Sequence, residues 1–283
     1  MLSILVSYQL FSQITSYFPE NAVNSVVLLE KKIGDNYIPH GTGFLLQSYD
    51  TDQPIIVVTA EHLLRNSSIY VTVPADTALI SFLKEKRKKR ACFRNTCWEL
   101  FENKLRHEFK LIKDSTFVCN KELDIAAFKL NIGNSTHIYM NNDTSEVNVS
   151  PIVGLGNSLI RFKKDVLLGT NVFFVGFPFS IGTELGFYNS KLYSDFIPNP
   201  LVRRGSVAWI SSTDNLFLLD AFSYGGNSGS PVFTSSNSYN KTYLIGIVIG
   251  HLPSQYSENI GLANCVWSDE IVKLIDRLKS LQK

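Results

Sequence analysis

Short apolar runs recur along this chain at intervals too close for helices, and this rhythm limits the possible folds more than any other feature. Runs such as "SVVLLE", "PIIVVT" and "YLIGIVIG" are rich in β-branched residues and are separated by Gly, Pro, Asn and Asp. That pattern is typical of short strands joined by turns. The rhythm therefore predicts an all-β protein, built as a sandwich or a barrel.

Two helices flank these strands in the prediction. One covers residues 5–17, where apolar and polar residues alternate with helical spacing. The other is the C-terminal "SDEIVKLIDRLKSLQK", which we expect to begin with Ser268 or Asp269 as its N-cap. Its predicted buried face consists of Ile271, Leu274, Ile275 and Leu278.

The length of 283 residues allows one large domain or two modest ones. The least apolar connection covers residues 131–148, and we place a domain boundary at residues 148–164. The prediction is a first domain over residues 1–148, with the N-terminal helix and the first strands, and a second over residues 149–283.

A charged insertion over residues 82–120 interrupts the strand rhythm. Its basic run "KEKRKKR", from Lys84 to Arg90, is predicted to be a solvated loop between barrel strands. Docking of a protein partner is the alternative, since Phe93 and Trp98 follow closely. A net charge of +2 gives no support to nucleic-acid binding by the whole chain.

The chain carries no pattern typical of membrane insertion or secretion. The start "MLSILVSYQLFSQ" lacks a basic segment and a small-residue cleavage site, and no later stretch approaches the ~18 apolar residues of a membrane span. Four cysteines, Cys92, Cys97, Cys119 and Cys265, are too scattered for a disulfide scaffold or a zinc site. We therefore expect a cytoplasmic protein without a metal.

The stretch "YGGNSGSPVF" combines glycines and serines directly before an apolar strand. Acyl transfer by a serine needs a hydroxyl, a base and donors for the oxyanion. Ser228 offers the hydroxyl, and the N–H groups of Ser228 and Gly226 are candidate donors, because a glycine permits the required turn. A glycine-rich turn without chemistry is the alternative interpretation.

A base and an acid for this serine are available at the ends of two other strands. His62 ends "PIIVVTAEH", and Asp124 begins "DIAAFKL". Each also has an ordinary interpretation, as a structural histidine or a strand-start aspartate. Their chain order of His62, Asp124 and Ser228 is that of the double-β-barrel hydrolases, which agrees with the all-β prediction.

The blocks "VVTAEH", "DIAAF" and "GNSGSPVF" resemble the three active-site blocks of trypsin-like (chymotrypsin-fold) serine proteases, most closely the bacterial HtrA-like peptidases. "GTGFLL", "VFFVGFP" and "GIVIG" fit the same group. The resemblance implies two six-stranded antiparallel Greek-key barrels. His62 and Asp124 would lie on the first, Ser228 on the second, and the cleft between them.

Three positions depart from the secreted trypsins in this resemblance. Leu63 and Tyr224 stand where those enzymes carry cysteines, which agrees with a reducing compartment. Asn227 replaces the acidic residue that pairs with a freed N-terminus in those enzymes. Activation by that type of N-terminal cleavage is therefore not expected.

The resemblance also implies where a substrate would bind. Phe222 and Ser223 would lie near the base of the P1 pocket, and Ile249, Gly250 and His251 would pair with the substrate backbone. Because Phe222 is not acidic, a preference for Lys or Arg is not supported, and we expect a small or apolar P1 residue. His251 is either a rim residue that favours an acidic or polar P1 or an ordinary exposed histidine.

These features predict a serine endopeptidase that acts on polypeptides without a cofactor. His62 would be the base, Asp124 would orient it, and Ser228 would attack the peptide carbonyl. A separate regulatory protein subunit that activates the enzyme is compatible with the sequence. The rival hypothesis is a non-catalytic protein-binding scaffold on the same fold, because a fold alone does not determine a function.

Overall fold

The computed structural model of the chain describes residues 20–47, 55–65, 69–74, 81, 84–85, 90–93, 96–101, 104–109, 117–130, 138–139, 154–178, 200–236, 241–253 and 259–281. The predicted helix over residues 5–17 lies outside the described residues, as does most of the basic run. The short helix α1 (Glu20–Asn24) is the first described element.

The first half of the chain forms one large sheet. Its strands are β1 (Val26–Ile33), β2 (Asn36–Gln47), β3 (Ile55–Ala60), β4 (Ile69–Pro74), β5 (Arg90–Phe93), β6 (Thr96–Phe101), β7 (Lys104–Phe109), β8 (Phe117–Asn120), β9 (Ile125–Leu130), β10 (Ile138–Tyr139) and β11 (Leu155–Gly156). The neighbours follow the order β10-β5-β6-β7-β4-β1-β2-β3-β9-β8, and β11 pairs in parallel with β2. All other pairs are antiparallel.

This sheet is larger than the six strands predicted for the first half. Six neighbours, β4-β1-β2-β3-β9-β8, correspond to the expected set, and the charged insertion adds β5, β6 and β7 beyond β4. The sequence pattern predicted no strands in this insertion. In "KLRHEF" charged residues recur at every second position, and a period of two is compatible with a strand. Among the described residues, no pairing joins the two ends of the sheet.

The second half forms a closed antiparallel barrel of six strands, as predicted. The strands are β12 (Asn171–Gly176), β13 (Leu201–Ile210), β14 (Leu216–Asp220), β15 (Pro231–Ser236), β16 (Lys241–Pro253) and β17 (Asn259–Trp267), and the ring runs β12-β13-β14-β17-β16-β15. Its interior is apolar and includes Phe217 stacked on Trp267 with ring centroids 4.0 Å apart. Each strand of the ring pairs with two neighbours, and β16 extends past its last pairing with β15, at Ile247, so one side of its later residues is not paired with β15.

Helix α2 (Ser268–Ser280) buries the predicted face of Ile271, Leu274, Ile275 and Leu278. That face belongs to a core shared by strands of both halves, so the helix packs on the junction between them. The predicted N-cap is wrong, because Trp267 occupies it. The Ser268 hydroxyl instead donates to the carbonyl of Arg161, and the Asp269 carboxylate accepts from the Lys163 N–H at 2.8 Å.

The connection between the halves contacts both. Leu155 in β11 pairs with Leu46, and Ile160 forms a bridge with Leu244 of β16. The boundary at residues 148–164 remains a prediction. No helix in the described ranges is long and apolar enough to cross a membrane.

Candidate active site

His62 lies where the first sheet gives way to a turn. Strand β3 is buried along its whole length, and the chain then enters a 3-10 helix over Glu61–Leu64 that places the imidazole at the edge of the core. The Glu61 N–H donates to the carbonyl of Asp124 at 3.0 Å, which anchors this turn to the start of β9. A strand end of this kind leaves the side chain at the surface while its backbone stays fixed.

Asp124 contacts His62 through both carboxylate oxygens. Oδ1 accepts from the His62 backbone N–H at 2.8 Å, and Oδ2 lies 2.5 Å from Nδ1 of the imidazole. The residue has a φ of +54°, a left-handed conformation that aspartate tolerates better than most residues. The contact assigns the proton to Nδ1 in the neutral ring, so Nε2 is left as the acceptor. His62 and Asp124, which were predicted from their positions at strand ends, are therefore in direct contact.

Ser228 lies in a tight turn between β14 and β15. Gly226 and Gly229 have φ values of +100° and +89°, which explains why glycine stands at both positions. The N–H groups of Asn227, Gly229 and Ser230 donate to backbone carbonyls at 2.7–2.9 Å. Within the described residues, the N–H groups of Gly226 and Ser228 have no acceptor. The turn therefore presents two unbonded amides beside the serine.

The serine turn is in direct contact with the first half of the chain. The Thr42 N–H donates to the Ser228 carbonyl at 2.9 Å. A Cβ on Gly229 would come within 1.8 Å of the Thr42 carbonyl oxygen and 2.6 Å of the Thr59 hydroxyl. Since Thr59 precedes His62 by three residues, the turn that carries Ser228 lies beside the strand that leads to His62.

The Ser228 hydroxyl occupies a rotamer that uses a backbone acceptor. It donates to the Ile249 carbonyl at 3.3 Å, and within the described part of the chain it has no hydrogen bond to His62. Attack on a substrate needs this proton to face the imidazole instead. The serine is thus near its predicted base but is not bonded to it.

A second imidazole lies close to His62. Burial, with smaller effects of the nearby Lys31 and His62, lowers the pKa of His40 from 6.5 to about 4, although a bond to the Leu63 backbone opposes this shift. His40 is therefore neutral at neutral pH. It places no fixed charge beside the pair of His62 and Asp124.

The predicted substrate residues occupy one edge of the second barrel. Phe222 is 50% exposed, and a Cβ on Gly261 would come within 3.3 Å of its ring. Ser223 is buried, His251 is exposed and pairs with Ala263 of β17, and a Cβ on Gly250 would meet nothing within 4 Å. Strand β16 thus runs from the Ser228 hydroxyl, at Ile249, toward Phe222.

Arg203 lies beside this edge. Its guanidinium lies 4.5 Å above the ring of Tyr224, which in turn stacks on Phe222 at 6.4 Å between centroids. Among the described residues, Arg203 has no carboxylate partner. No local pattern in "NPLVRRGSVA" predicts this stack, because the partners are about twenty residues apart.

Asn227, which replaces an acidic residue, is fully buried. Neither polar atom of its carboxamide has a partner within the described ranges, and Oδ1 lies 3.2 Å from where a Cβ on Gly176 would stand. Ser230 and Thr42 border the same position. This polar group separates the serine turn from the end of β12. No group of His, Cys, Asp or Glu in the described ranges is arranged to hold a metal.

Residues 41–247 match the family described as the trypsin-like peptidase domain. The chain therefore belongs to the trypsin-like peptidase family. No curated protein sequence matches the chain significantly.

Solved structures with a similar fold include HtrA-type proteases. "HtrA-type protease AlgW with tripeptide" matches with a TM-score of 0.53 and 13% identity, over 90% of this chain and 62% of that chain. "HtrA-type protease AlgW with decapeptide" matches with a TM-score of 0.51 and 13% identity, over 92% and 66%. The chain thus spans less than two thirds of the tripeptide-bound structure. The trypsin-like fold of the prediction is confirmed.

Proposed function

We propose that the chain is a serine endopeptidase in which Ser228 attacks the peptide carbonyl of a polypeptide. His62 takes the serine proton through Nε2 and later donates it to the leaving amine. Asp124 holds the imidazole in the matching tautomer and stabilises its charged form. The N–H groups of Gly226 and Ser228 stabilise the oxyanion of the tetrahedral intermediate.

One observation carries this proposal: the bidentate contact of Asp124 with His62. A carboxylate that binds both the backbone N–H and Nδ1 fixes the ring's position and its tautomer at once. The two unbonded amides beside Ser228 support the same proposal, because buried or half-buried N–H groups are otherwise nearly always bonded.

The resting rotamer of Ser228 does not weigh strongly against catalysis. The hydroxyl gives up one hydrogen bond of 3.3 Å to Ile249 when it turns toward the imidazole. A neutral bond of this kind contributes about 1 kcal/mol, so the turn needs only a small compensation from a bound substrate or partner. An enzyme activated by a regulatory protein would use such a step.

A peptide substrate is proposed to add a strand to the exposed edge of β16 at Ile249, Gly250 and His251. The open space beside Gly250 supports this placement. The P1 side chain would then point toward Phe222. The cytoplasmic location likewise stays a prediction of the sequence.

Labelling with a fluorophosphonate probe tests the proposed mechanism, because the probe reacts where a serine is activated by a base. The wild-type protein should be labelled, and Ser228→Ala and His62→Ala should not. Asp220→Asn, an exposed substitution on β14, is the matched control that should label like the wild type.

Two results would count against the endopeptidase. Labelling that survives Ser228→Ala would place the reactive group elsewhere. A folded wild-type protein that fails to label, both alone and with added cell lysate, would favour the non-catalytic scaffold.

A further inference from the structure

Thr42 binds two carbonyls of the serine turn, and the sequence predicted neither contact. It lies on β2 in the first half and is fully buried. Its N–H donates to the Ser228 carbonyl at 2.9 Å, and its hydroxyl donates to the Gly226 carbonyl at 2.6 Å. One residue of the first half therefore holds the carbonyls on both sides of Asn227.

The Thr42 hydroxyl donates to the Gly226 carbonyl because a carbonyl oxygen can only accept, and a third contact agrees with this direction. The Phe177 N–H, at the end of β12, donates to Oγ1 of Thr42 at 2.9 Å. Because that lone pair is occupied, the hydroxyl proton is free to serve the Gly226 carbonyl. The Thr59 hydroxyl in turn donates to the Thr42 carbonyl at 2.6 Å, which fixes the Thr42 backbone to β3.

These contacts hold the two peptide planes next to those that carry the proposed oxyanion donors. The Gly226 carbonyl shares its plane with the Asn227 N–H, and the Ser228 carbonyl shares its plane with the Gly229 N–H, so the plane of the Ser228 N–H lies between two restrained neighbours. A peptide plane whose carbonyl is held in one direction cannot rotate without breaking that bond. The Gly226 carbonyl belongs to a residue with a φ of +100°, a conformation that glycine adopts without the steric cost that a side chain would add. The hydroxyl of Thr42 thus restrains this glycine of the serine turn.

We propose that Thr42 is a positioning residue for the oxyanion hole, which it holds by its hydroxyl bond to the Gly226 carbonyl. The proposal rests on the proposed function, since a scaffold has no use for an ordered pair of unbonded amides. Thr42 touches neither the substrate nor the reacting atoms. It acts through the orientation of Gly226.

The test uses the full chain and measures the second-order rate of fluorophosphonate labelling across pH. Thr42→Val keeps the shape and the backbone bonds but removes the hydroxyl, and it should label about 10- to 100-fold more slowly. Thr42→Ser keeps the hydroxyl and should label within about threefold of the wild type. The midpoint of the pH profile should stay unchanged in both, because the pair of His62 and Asp124 is untouched.

Ser25→Ala is the matched control for the loss of a buried hydroxyl. Ser25 is also fully buried, and its hydroxyl also donates to a backbone carbonyl, that of Ala22 at 2.9 Å. It should change the melting temperature without slowing the labelling of the folded protein. A labelling defect in Ser25→Ala as large as that in Thr42→Val would overturn the positioning role.

Each remaining outcome decides a separate question. A wild type that does not label contradicts the proposed function itself. If the wild type labels and folded Thr42→Val labels equally fast, the positioning role is wrong and the endopeptidase stands. If Thr42→Val does not fold, Thr42→Ser decides, since slow labelling by a folded Thr42→Ser would overturn the proposal.

Discussion

The two halves of the molecule contribute to the candidate site in different ways. The first half is an extended sheet, and it supplies two side chains, His62 and Asp124, that bind each other directly. The second half is a closed barrel, and it supplies backbone amides around Ser228 whose freedom depends on glycines. The first half thus determines the charge and tautomer of His62, and the second half determines the backbone geometry around Ser228.

Because of this difference, substitutions in the two halves should impair the candidate site in different ways. A side-chain pair is lost when one atom changes, even though the fold persists. A set of backbone amides is insensitive to most side-chain changes but depends on the contact with Thr42 across the junction. The largest effect on chemistry is therefore expected in the first half.

Asp124→Asn should have the largest effect on the reaction. Asparagine suits the φ of +54° and keeps the bond from the His62 N–H, but it favours the wrong imidazole tautomer. In Ser-His-Asp triads this change lowers kcat by about 10⁴-fold. Labelling kinetics with the fluorophosphonate measure the loss, and the melting temperature should change little. A loss of less than tenfold would show that the amides of the second half carry most of the catalysis.

Leu274→Ala should have the next largest effect, on the junction between the halves. The side chain is 2% exposed and belongs to the core that both halves share. Its truncation should lower the free energy of unfolding by about 2–5 kcal/mol. Urea unfolding followed by tryptophan fluorescence and by labelling should give one shared transition, shifted to lower urea.

Asp276→Ala on the exposed side of the same helix is the control, and it should stay within about 0.5 kcal/mol of the wild type. Two separate transitions in Leu274→Ala, of which only one shifts, would mean that the halves unfold independently. The two halves would then differ in their stability as well as in what they contribute to the candidate site.

His40→Gln should have the smallest effect, confined to pH dependence. The folded pKa of about 4 lies below the unfolded value of 6.5, so the unfolded chain binds the proton first as pH falls. The stabilising effect of the neutral ring is complete above pH 6.5 and is lost as pH falls to about 4. Between pH 7.5 and pH 5.0 the wild type should lose about 1 kcal/mol more than His40→Gln, allowing for partial exposure.

Chemical unfolding at the two pH values measures this difference. Equal losses in both proteins would show that His40 accepts a proton as readily in the folded chain as in the unfolded one. The first half would then lack this second buried imidazole as a source of acid sensitivity.

The sequence predicted correctly those features that depend on residues close together in the chain. The turn at Ser228 has positive φ angles at Gly226 and Gly229, a conformation that glycine adopts easily and other residues avoid on steric grounds. The glycines in "GGNSG" therefore predict this turn. His62 and Asp124 were predicted from strand ends, and their contact follows from the pairing of β3 with β9. The buried face of α2 was likewise predicted from its helical spacing.

The sequence did not predict contacts between residues that lie far apart in the chain. Thr42 and Gly226 are 184 positions apart, and no local pattern marks a threonine that binds across such a distance. The N-cap of α2 was misassigned because Ser268 and Asp269 bind the connection between the halves instead of their own helix. Strands β5 to β7 were missed because they lie in a strongly charged stretch that lacks the apolar runs by which the other strands were predicted.

The close approach of Gly229 to Thr42 has a consequence for the life of the chain before it is complete. A Cβ at Gly229 would lie 1.8 Å from the Thr42 carbonyl, so the serine turn packs directly on the first half and leaves no room for a side chain at this position. Until the two halves meet, Ser228 is separated from His62, its proposed base, and the serine turn lacks its bonds to Thr42. Under the proposed function, a molecule at that stage of assembly would be inactive.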